Sequence, residues 1–227
     1  MINLLGFFGM QNNFKLLNLD SIRKATLYEE PYPYMTIDNL LQPDTITRIV
    51  NDFPAIERRG SFPLSALKYS GYFETLIKEL ERSELRDVIS DRFELDLAEK
   101  ATMITVRGVT NERDGKIHID SKSKLITVLL YLNPNWEVSK EGCLRVLYNQ
   151  QDLKHYAAEV PPIAGRCIIF KVTPNCWHGH EPFIGVRRSL QLNYVTSEEA
   201  RESHLKRHRI SAFFKNLFFK NDAYSTY

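Results

Sequence analysis

A histidine and an aspartate stand two positions apart in the stretch GKIHIDSKSKLITVLLYLNPNW, residues 115–136. His118 and Asp120 directly precede a run of β-branched and aliphatic residues, which predicts a strand. Residues i and i+2 of a strand point to the same face, so the imidazole and the carboxylate could share a metal ion. The pair alone is weak evidence, because a chain with six histidines and 28 acidic residues contains such pairs by chance.

A third candidate ligand lies sixty residues after His118, in the stretch NCWHGHEPFIGVRRSLQLNYV. His178 follows a predicted strand and precedes a turn that contains proline and glycine. Two histidines and one carboxylate on one side of a metal, with open positions opposite, are the ligands of non-haem Fe(II) oxygenases. Arg187 stands nine residues after His178, and its planar guanidinium matches a carboxylate with two hydrogen bonds. The four residues together indicate an iron site beside a site for an anion.

Two neighbouring pairs leave this assignment open. His178 and His180 lie two apart, so either could be the distal ligand. Arg187 and Arg188 are adjacent, but strand alternation separates them. One face is polar and the other is mostly apolar: Arg187, Ser189, Gln191 and Asn193 against Arg188, Leu190, Leu192 and Tyr194. A polar row suits the interior of a barrel that holds an anion and a metal, so we expect Arg187 to face inward and Arg188 outward.

The elements around these residues change character near residue 101. Before it, residues 45–53 and 71–93 repeat apolar residues at helical spacing, after a short strand predicted at 34–37. After it, short β-branched or aromatic runs are separated by Gly, Pro, Asn and Asp, which is typical of a sandwich or barrel. The sequence therefore predicts an α+β, mainly β fold, with the N-terminal helices packed on one sheet.

Length and composition favour one globular domain. The sequence divides into an N-terminal extension at 1–25, a single domain at 26–200 and a tail at 201–227. The formal net charge of +2 gives no overall attraction to nucleic acid, so we expect none as a partner. Three cysteines without CxxC spacing argue against a disulfide framework or a zinc knuckle. No signal peptide is recognisable, and we expect a cytoplasmic protein.

The tail has helical spacing of apolar residues and many basic residues, in the stretch ESHLKRHRISAFFKNLFFKNDAYSTY. This pattern predicts a basic amphipathic helix. Residues 204–220 of such a helix could contact an anionic membrane surface. We favour the alternative, in which the helix docks on the domain or on a dimer partner.

Residues 101–195 resemble the double-stranded β-helix (jelly-roll) core of the Fe(II)/2-oxoglutarate-dependent dioxygenases, especially the prolyl-hydroxylase-like group. The family signature of His-x-Asp, a distal His and then an Arg is matched by His118, Asp120, His178 and Arg187. The YLN after the first ligand pair is also similar, and EGCLRVL resembles the family's Gly-Gly-x-Leu strand. Pro182 matches the family's turn residue four positions after the ligand, which favours His178 over His180. The stretch PYPYMTIDNLLQPDTITRIVNDFP extends the resemblance more loosely toward the N-terminus.

The resemblance implies a hydroxylase with Fe(II) and 2-oxoglutarate, and with ascorbate as a stimulant. His118, Asp120 and His178 would bind the iron. Arg187 would bind the far carboxylate of 2-oxoglutarate, together with Tyr131 and Thr127. Related halogenases carry a small residue in place of the carboxylate ligand, so Asp120 favours hydroxylation, with release of succinate and CO2.

Several interpretations stay open from the sequence alone. The substrate could be a small molecule, an amino acid or peptidyl side chain, or a glycan. A non-catalytic β-sandwich binding module would use His118 and His178 only to line a groove. A cupin-like metalloenzyme would use the metal without 2-oxoglutarate. Neither alternative requires Arg187 on a polar strand face.

Overall fold

Five helices and two antiparallel sheets make up the described part of the protein. The computed structural model describes residues 15–136 and 140–218, with the side chains of the last helix described as far as His208. The helices are α1 (Leu19–Lys24), α2 (Ile46–Asn51), α3 (Gly71–Leu80), α4 (Ser83–Phe93) and α5 (Glu198–Phe218), with short 3-10 turns at Pro43–Thr45 and Leu64–Ala66. The coarse part of the fold prediction, a mixture of helices and antiparallel sheets, is therefore confirmed.

The strands form a six-stranded and a three-stranded sheet. They are β1 (Tyr34–Ile37), β2 (Phe62–Pro63), β3 (Ala101–Thr110), β4 (Lys124–Tyr131), β5 (Leu144–Leu147), β6 (Tyr156–Val160), β7 (Cys167–Lys171), β8 (His178–Gly179) and β9 (Gly185–Val195). The order in the large sheet is β1-β7-β4-β9-β3-β2, and in the small sheet β6-β5-β8. Every pairing between these strands is antiparallel.

The large sheet has two differently covered faces because its side chains alternate. One face packs on the N-terminal helices, where Val128, Leu190 and Leu192 meet Phe73 and Ile89 in the main core. The other face shares a second, aromatic cluster with the small sheet. Burial of each such apolar side chain stabilises the fold by about 1.5–3 kcal/mol. The polar residues of this second face therefore lie between the large sheet and the small sheet, which the two cores hold in place.

Residues 71–93, predicted as one helical stretch, fold as two helices. Helix α3 ends at Leu80, and the backbone of Arg82 is extended (φ −73°, ψ 156°) before α4 begins at Ser83. Both helices bury their apolar stripes in the main core. The three-and-four spacing continues through the break, which is why periodicity alone does not reveal it.

The predicted N-terminal extension falls partly outside the described residues, which begin at residue 15. Its last part contributes Leu16, Leu17 and Ile22 to the main core. The backbone N–H groups of Leu16 and Leu17 also donate to the buried carboxylate of Glu79 on α3, at 2.9–3.0 Å. Residues 15–25 are thus packed against the helical layer.

The predicted C-terminal helix is present as α5. Its first turns contact β2, β3 and β9, and they bury His204 and Leu205 against the domain. The membrane or dimer contact predicted for 204–220 stays a prediction, since the side chains of 209–220 lie outside the described residues. None of the described helices combines the length and the apolar character that a membrane span requires.

Candidate metal centre

Two histidines from distant parts of the sequence are joined by their backbones. The N–H of His118 donates to the carbonyl of His178, and the N–H of His178 donates to the carbonyl of His118, both at 3.0 Å. His178 also belongs to β8, where it pairs with Val146 of β5 in the small sheet. The two imidazole rings consequently lie side by side, with centroids 4.3 Å apart.

Asp120 completes a cluster of three potential metal ligands. One ligand atom from each of His118, Asp120 and His178 lies within 4.8 Å of the other two. Asp120 and His178 are buried, whereas His118 is exposed. The cluster is therefore open to an incoming ion on the side of His118.

Both imidazoles are held in the tautomer that a metal requires. Nδ1 of His118 lies 2.8 Å from the carbonyl oxygen of Lys116, and Nδ1 of His178 lies 2.8 Å from that of Cys176. A carbonyl oxygen only accepts, so each Nδ1 carries the proton and each Nε2 keeps its lone pair. Such backbone anchoring is the usual support of a histidine ligand.

The carboxylate of Asp120 is ionised and fixed. Lys124 donates to Oδ1 at 2.7 Å, and the Thr127 hydroxyl donates to Oδ2 at 2.5 Å. Burial alone would raise the pKa of Asp120, but Lys124, the nearby His178 and these hydrogen bonds lower it to about 2. Burial lowers the pKa of His178 to about 4, with a contribution from His118. At neutral pH both groups are therefore in the protonation state that binds a cation.

Arg187 lies in the same cavity as the two imidazoles and is almost fully buried, with 4% exposure. The cavity has a volume of about 130 Å³. Nε of Arg187 donates to the carbonyl of Gly142 at 2.8 Å, and Nη2 lies 3.4 Å from the Tyr131 hydroxyl. Among the described residues no carboxylate forms an ion pair with Arg187. A buried guanidinium without a carboxylate partner is suited to binding an anionic ligand.

Tyr131 and His180, two neighbours of Arg187, are uncharged at neutral pH. The Tyr131 ring lies under the guanidinium, 5.2 Å from centroid to Cζ. Burial raises the pKa of Tyr131 to about 12, although Arg187 acts in the opposite direction, so its hydroxyl keeps its proton. Burial, followed by the charge of Arg187, lowers the pKa of His180 to about 3.

The remaining predicted residues are found in distinct places. His180 lines the cavity but lies outside the three-ligand cluster. Arg188 points to the opposite face of β9, where its guanidinium covers the Phe53 ring at 5.2 Å. Thr127, expected near the far carboxylate of 2-oxoglutarate, instead has its hydroxyl on Asp120.

Sequence reasoning missed three supports of the site. Lys124 pairs with Asp120, Asn193 donates to Thr127, and Gly142 supplies the carbonyl that anchors Arg187. Only Asn193 carried a signal in the sequence, because it belongs to the polar row of β9.

A sequence model of the 2OG-Fe(II) oxygenase superfamily matches residues 105–195, which contain every residue of the cluster and Arg187. This part of the chain is similar to the 2OG-Fe(II) oxygenases. The match and the three-ligand cluster support an enzyme of the dioxygenase class, for which the superfamily implies Fe(II) and 2-oxoglutarate. The non-catalytic binding module is set aside by this match.

Two solved structures resemble the chain in fold. A Pseudomonas putida prolyl-4-hydroxylase shares 16% identity at a TM-score of 0.52, over 79% of this chain and 97% of its own. A viral collagen prolyl hydroxylase from Paramecium bursaria Chlorella virus-1, solved as a 2OG complex, shares 15% identity at a TM-score of 0.50, over 72% and 96%. No curated protein sequence matches the chain.

The described residues fit the cofactor that the family implies. Imidazole nitrogens and a carboxylate oxygen are suitable ligands for Fe(II), and two imidazoles with one carboxylate leave coordination positions open. The hydrogen bonds at Nδ1 orient Nε2 of both neutral imidazoles as metal ligands, and the carboxylate is ionised. The buried guanidinium of Arg187 offers the complementary charge for a dicarboxylate in the same cavity.

Proposed function

We propose that the protein is an Fe(II)- and 2-oxoglutarate-dependent hydroxylase. His118, Asp120 and His178 bind the iron, and Arg187 with Tyr131 binds the far carboxylate of 2-oxoglutarate. The observation that carries this proposal is the occurrence, around one cavity, of a three-ligand cluster and a buried guanidinium without an acidic partner among the described residues. A 2-oxo dicarboxylic acid needs a metal at one end and a cation at the other, and this cavity offers both.

The arrangement of the two sheets supports a double-stranded β-helix core. A jelly roll contains eight strands in two facing sheets. Here β3, β4, β7 and β9 belong to the large sheet, and β5, β6 and β8 to the small one. The bridge between His118 and His178 adds an eighth segment beside β8. Both histidine ligands thus come from the small-sheet side, and Arg187 from the large sheet.

The side chains divide the work between holding the metal and orienting the keto acid. When bound, Fe(II) and 2-oxoglutarate supply dioxygen activation, in which one oxygen atom enters a substrate C–H bond and the other enters succinate as CO2 leaves. Asp120 neutralises one of the two metal charges. Arg187 and Tyr131 donate hydrogen bonds to the far carboxylate from a site that excludes most water, which strengthens them. The substrate is a small molecule or a side chain of a larger one.

The proposal is tested by measuring 2-oxoglutarate binding and turnover on the same protein. Succinate formation is measured with Fe(II), ascorbate and oxygen, and anaerobic calorimetry with Fe(II) measures keto-acid binding independently of any substrate. We expect His118→Ala to abolish metal-dependent binding, and His155→Ala, an exposed histidine of the 150s loop, to leave it unchanged. Metal binding without metal-dependent keto-acid binding would contradict the proposal and favour the cupin-like alternative.

A further inference from the structure

A chain of three hydrogen bonds connects the cavity wall to Asp120. The Gln191 amide Nε2 donates to Oδ1 of Asn193 at 3.1 Å, and Nδ2 of Asn193 donates to Oγ1 of Thr127 at 2.7 Å. Thr127 then donates to Oδ2 of Asp120 at 2.5 Å. Gln191 lines the cavity, so the chain runs from the space available to ligands to a proposed iron ligand.

The carboxylate fixes the direction of every bond in this chain. Asp120 is paired with Lys124 and ionised, so it can only accept. Thr127 has a single proton, which goes to Asp120, and its oxygen must therefore accept from Asn193. Asn193 must use its NH2 group there, which leaves its carbonyl to accept from Gln191. The Gln191 NH2 group is consequently turned into the chain.

Burial prevents water from reversing the chain. Thr127 is 2% exposed and Asn193 is fully buried. A flipped Asn193 amide would place its carbonyl oxygen against the Thr127 oxygen, which would then lack a donor, and its NH2 group against the NH2 group of Gln191. Unsatisfied or opposed groups of this kind are costly in a buried network. The orientation of Gln191 is thus determined by a carboxylate three hydrogen bonds away.

Oε1 of Gln191 is the atom that this direction leaves for the cavity. No hydrogen bond to it occurs among the described residues. The dianion of 2-oxoglutarate has only acceptor atoms, so it cannot be the partner of Oε1. The guanidinium of Arg187, which has no carboxylate partner among the described residues, also lines the cavity and disfavours an additional cation there, whereas Arg107 is paired with Asp114. A neutral donor, either a hydroxyl or an amide N–H, suits the position.

We propose that Gln191 is a specificity-determining residue that accepts a hydrogen bond from a neutral hydroxyl or amide group of the primary substrate. This inference rests on the proposed function, since it assumes that 2-oxoglutarate occupies the Arg187 end of the cavity. A site built around an unpaired acceptor rejects analogues that lack the donor, because Oε1 would then be left without a partner.

Neutron diffraction tests the direction of the chain. Crystals of the full protein with Zn(II) and 2-oxoglutarate are exchanged into heavy water. We expect deuterium on Thr127 toward Asp120 and the Gln191 ND2 group toward Asn193, with Oε1 facing the cavity. A Gln191 ND2 group facing the cavity overturns the inference. Failure of 2-oxoglutarate to bind near Arg187 would instead contradict the proposed function. The deuterium positions would still give the direction of the hydrogen-bond chain.

Soaking the same crystals with a matched pair of solvents tests the selection. Isopropanol has a hydroxyl donor, whereas acetone has a similar shape and only an acceptor. We expect roughly two- to tenfold higher occupancy of isopropanol beside Gln191 at subsaturating concentrations, as one hydrogen bond predicts. Gln191→Met, which keeps the length but removes the carbonyl, should abolish the preference. Occupancy of acetone equal to that of isopropanol, or a preference that survives in Gln191→Met, overturns the inference.

Discussion

Arg187→Leu should abolish tight binding of 2-oxoglutarate while metal binding persists. The guanidinium is 4% exposed and has no carboxylate partner among the described residues, so the far carboxylate would be its first anionic partner. Hydrogen bonds to charged groups contribute about 1.5–3 kcal/mol each. Loss of two of them, about 3–6 kcal/mol, corresponds to a roughly 200- to 20,000-fold larger dissociation constant.

The assay is calorimetric titration of 2-oxoglutarate into protein loaded with Zn(II), which permits binding without turnover. Arg187→Lys is the matched control, because it keeps a positive charge but loses the planar fork, and it should bind with intermediate affinity. The affinity for the metal should not change, since Arg187 is outside the three-ligand cluster.

The metal-free stability of Arg187→Leu separates lost binding from lost folding. Removing a buried, unpaired charge relieves a desolvation cost, whereas the Gly142 carbonyl loses its donor at 2.8 Å. These effects oppose one another, so we expect only a small change in the melting temperature. Unchanged affinity for 2-oxoglutarate in a folded Arg187→Leu variant would refute the role of Arg187.

Three further perturbations address the supports of the site. Thr127→Val removes a hydrogen bond to the proposed carboxylate ligand and should weaken metal binding about 10- to 100-fold in a Zn(II) titration; Thr36→Val on the edge strand is the control, and equal losses would contradict the argument. Burial lowers the pKa of His178 from 6.5 to about 4, so the unfolded chain binds an extra proton between these values. Stability of the metal-free protein should therefore rise with pH in that window, and urea unfolding should show about 2 kcal/mol less stability at pH 5 than at pH 7 from this group. His178→Gln should reduce that dependence by about the same 2 kcal/mol, while His180 still contributes, and an equally steep profile in the variant would argue against it. Gly142→Ala places a Cβ 2.9 Å from the Trp136 ring at a φ of +72° and should destabilise the protein by about 1–3 kcal/mol in thermal unfolding.

Strand alternation predicted the contents of β9 correctly. Arg187, Ser189 and Gln191 line the cavity, whereas Leu190 and Leu192 lie in the main core. This success has a geometric reason, since successive side chains of a strand must point to opposite faces. The prediction needs no knowledge of which strand lies beside β9.

The network around Asp120 could not be predicted because it depends on strand register. Thr127 lies opposite Asn193 in the pairing of β4 with β9, 66 residues apart in sequence. A shift of one residue in this pairing would turn Thr127 away from Asp120. A single sequence does not show which residue of β4 lies opposite which residue of β9. The expected role of Thr127 at the keto acid was drawn from a resemblance, and the structure gives its hydroxyl a different partner.

The charges of the cavity suggest why a buried Arg187 is retained. Asp120 is already paired with Lys124 at 2.7 Å, so in the metal-free protein the acidic group cannot also neutralise the guanidinium. A buried charge without a partner destabilises a fold, and replacing it by an apolar residue is often neutral or stabilising. A ligand that binds only the folded state returns stability by mass action, by about 2.7 kcal/mol at a concentration of 100 times its dissociation constant. The unpaired guanidinium therefore destabilises the ligand-free protein, and the proposed dicarboxylate would restore that stability on binding. This distribution of free energy is expected of a binding residue rather than of a structural one.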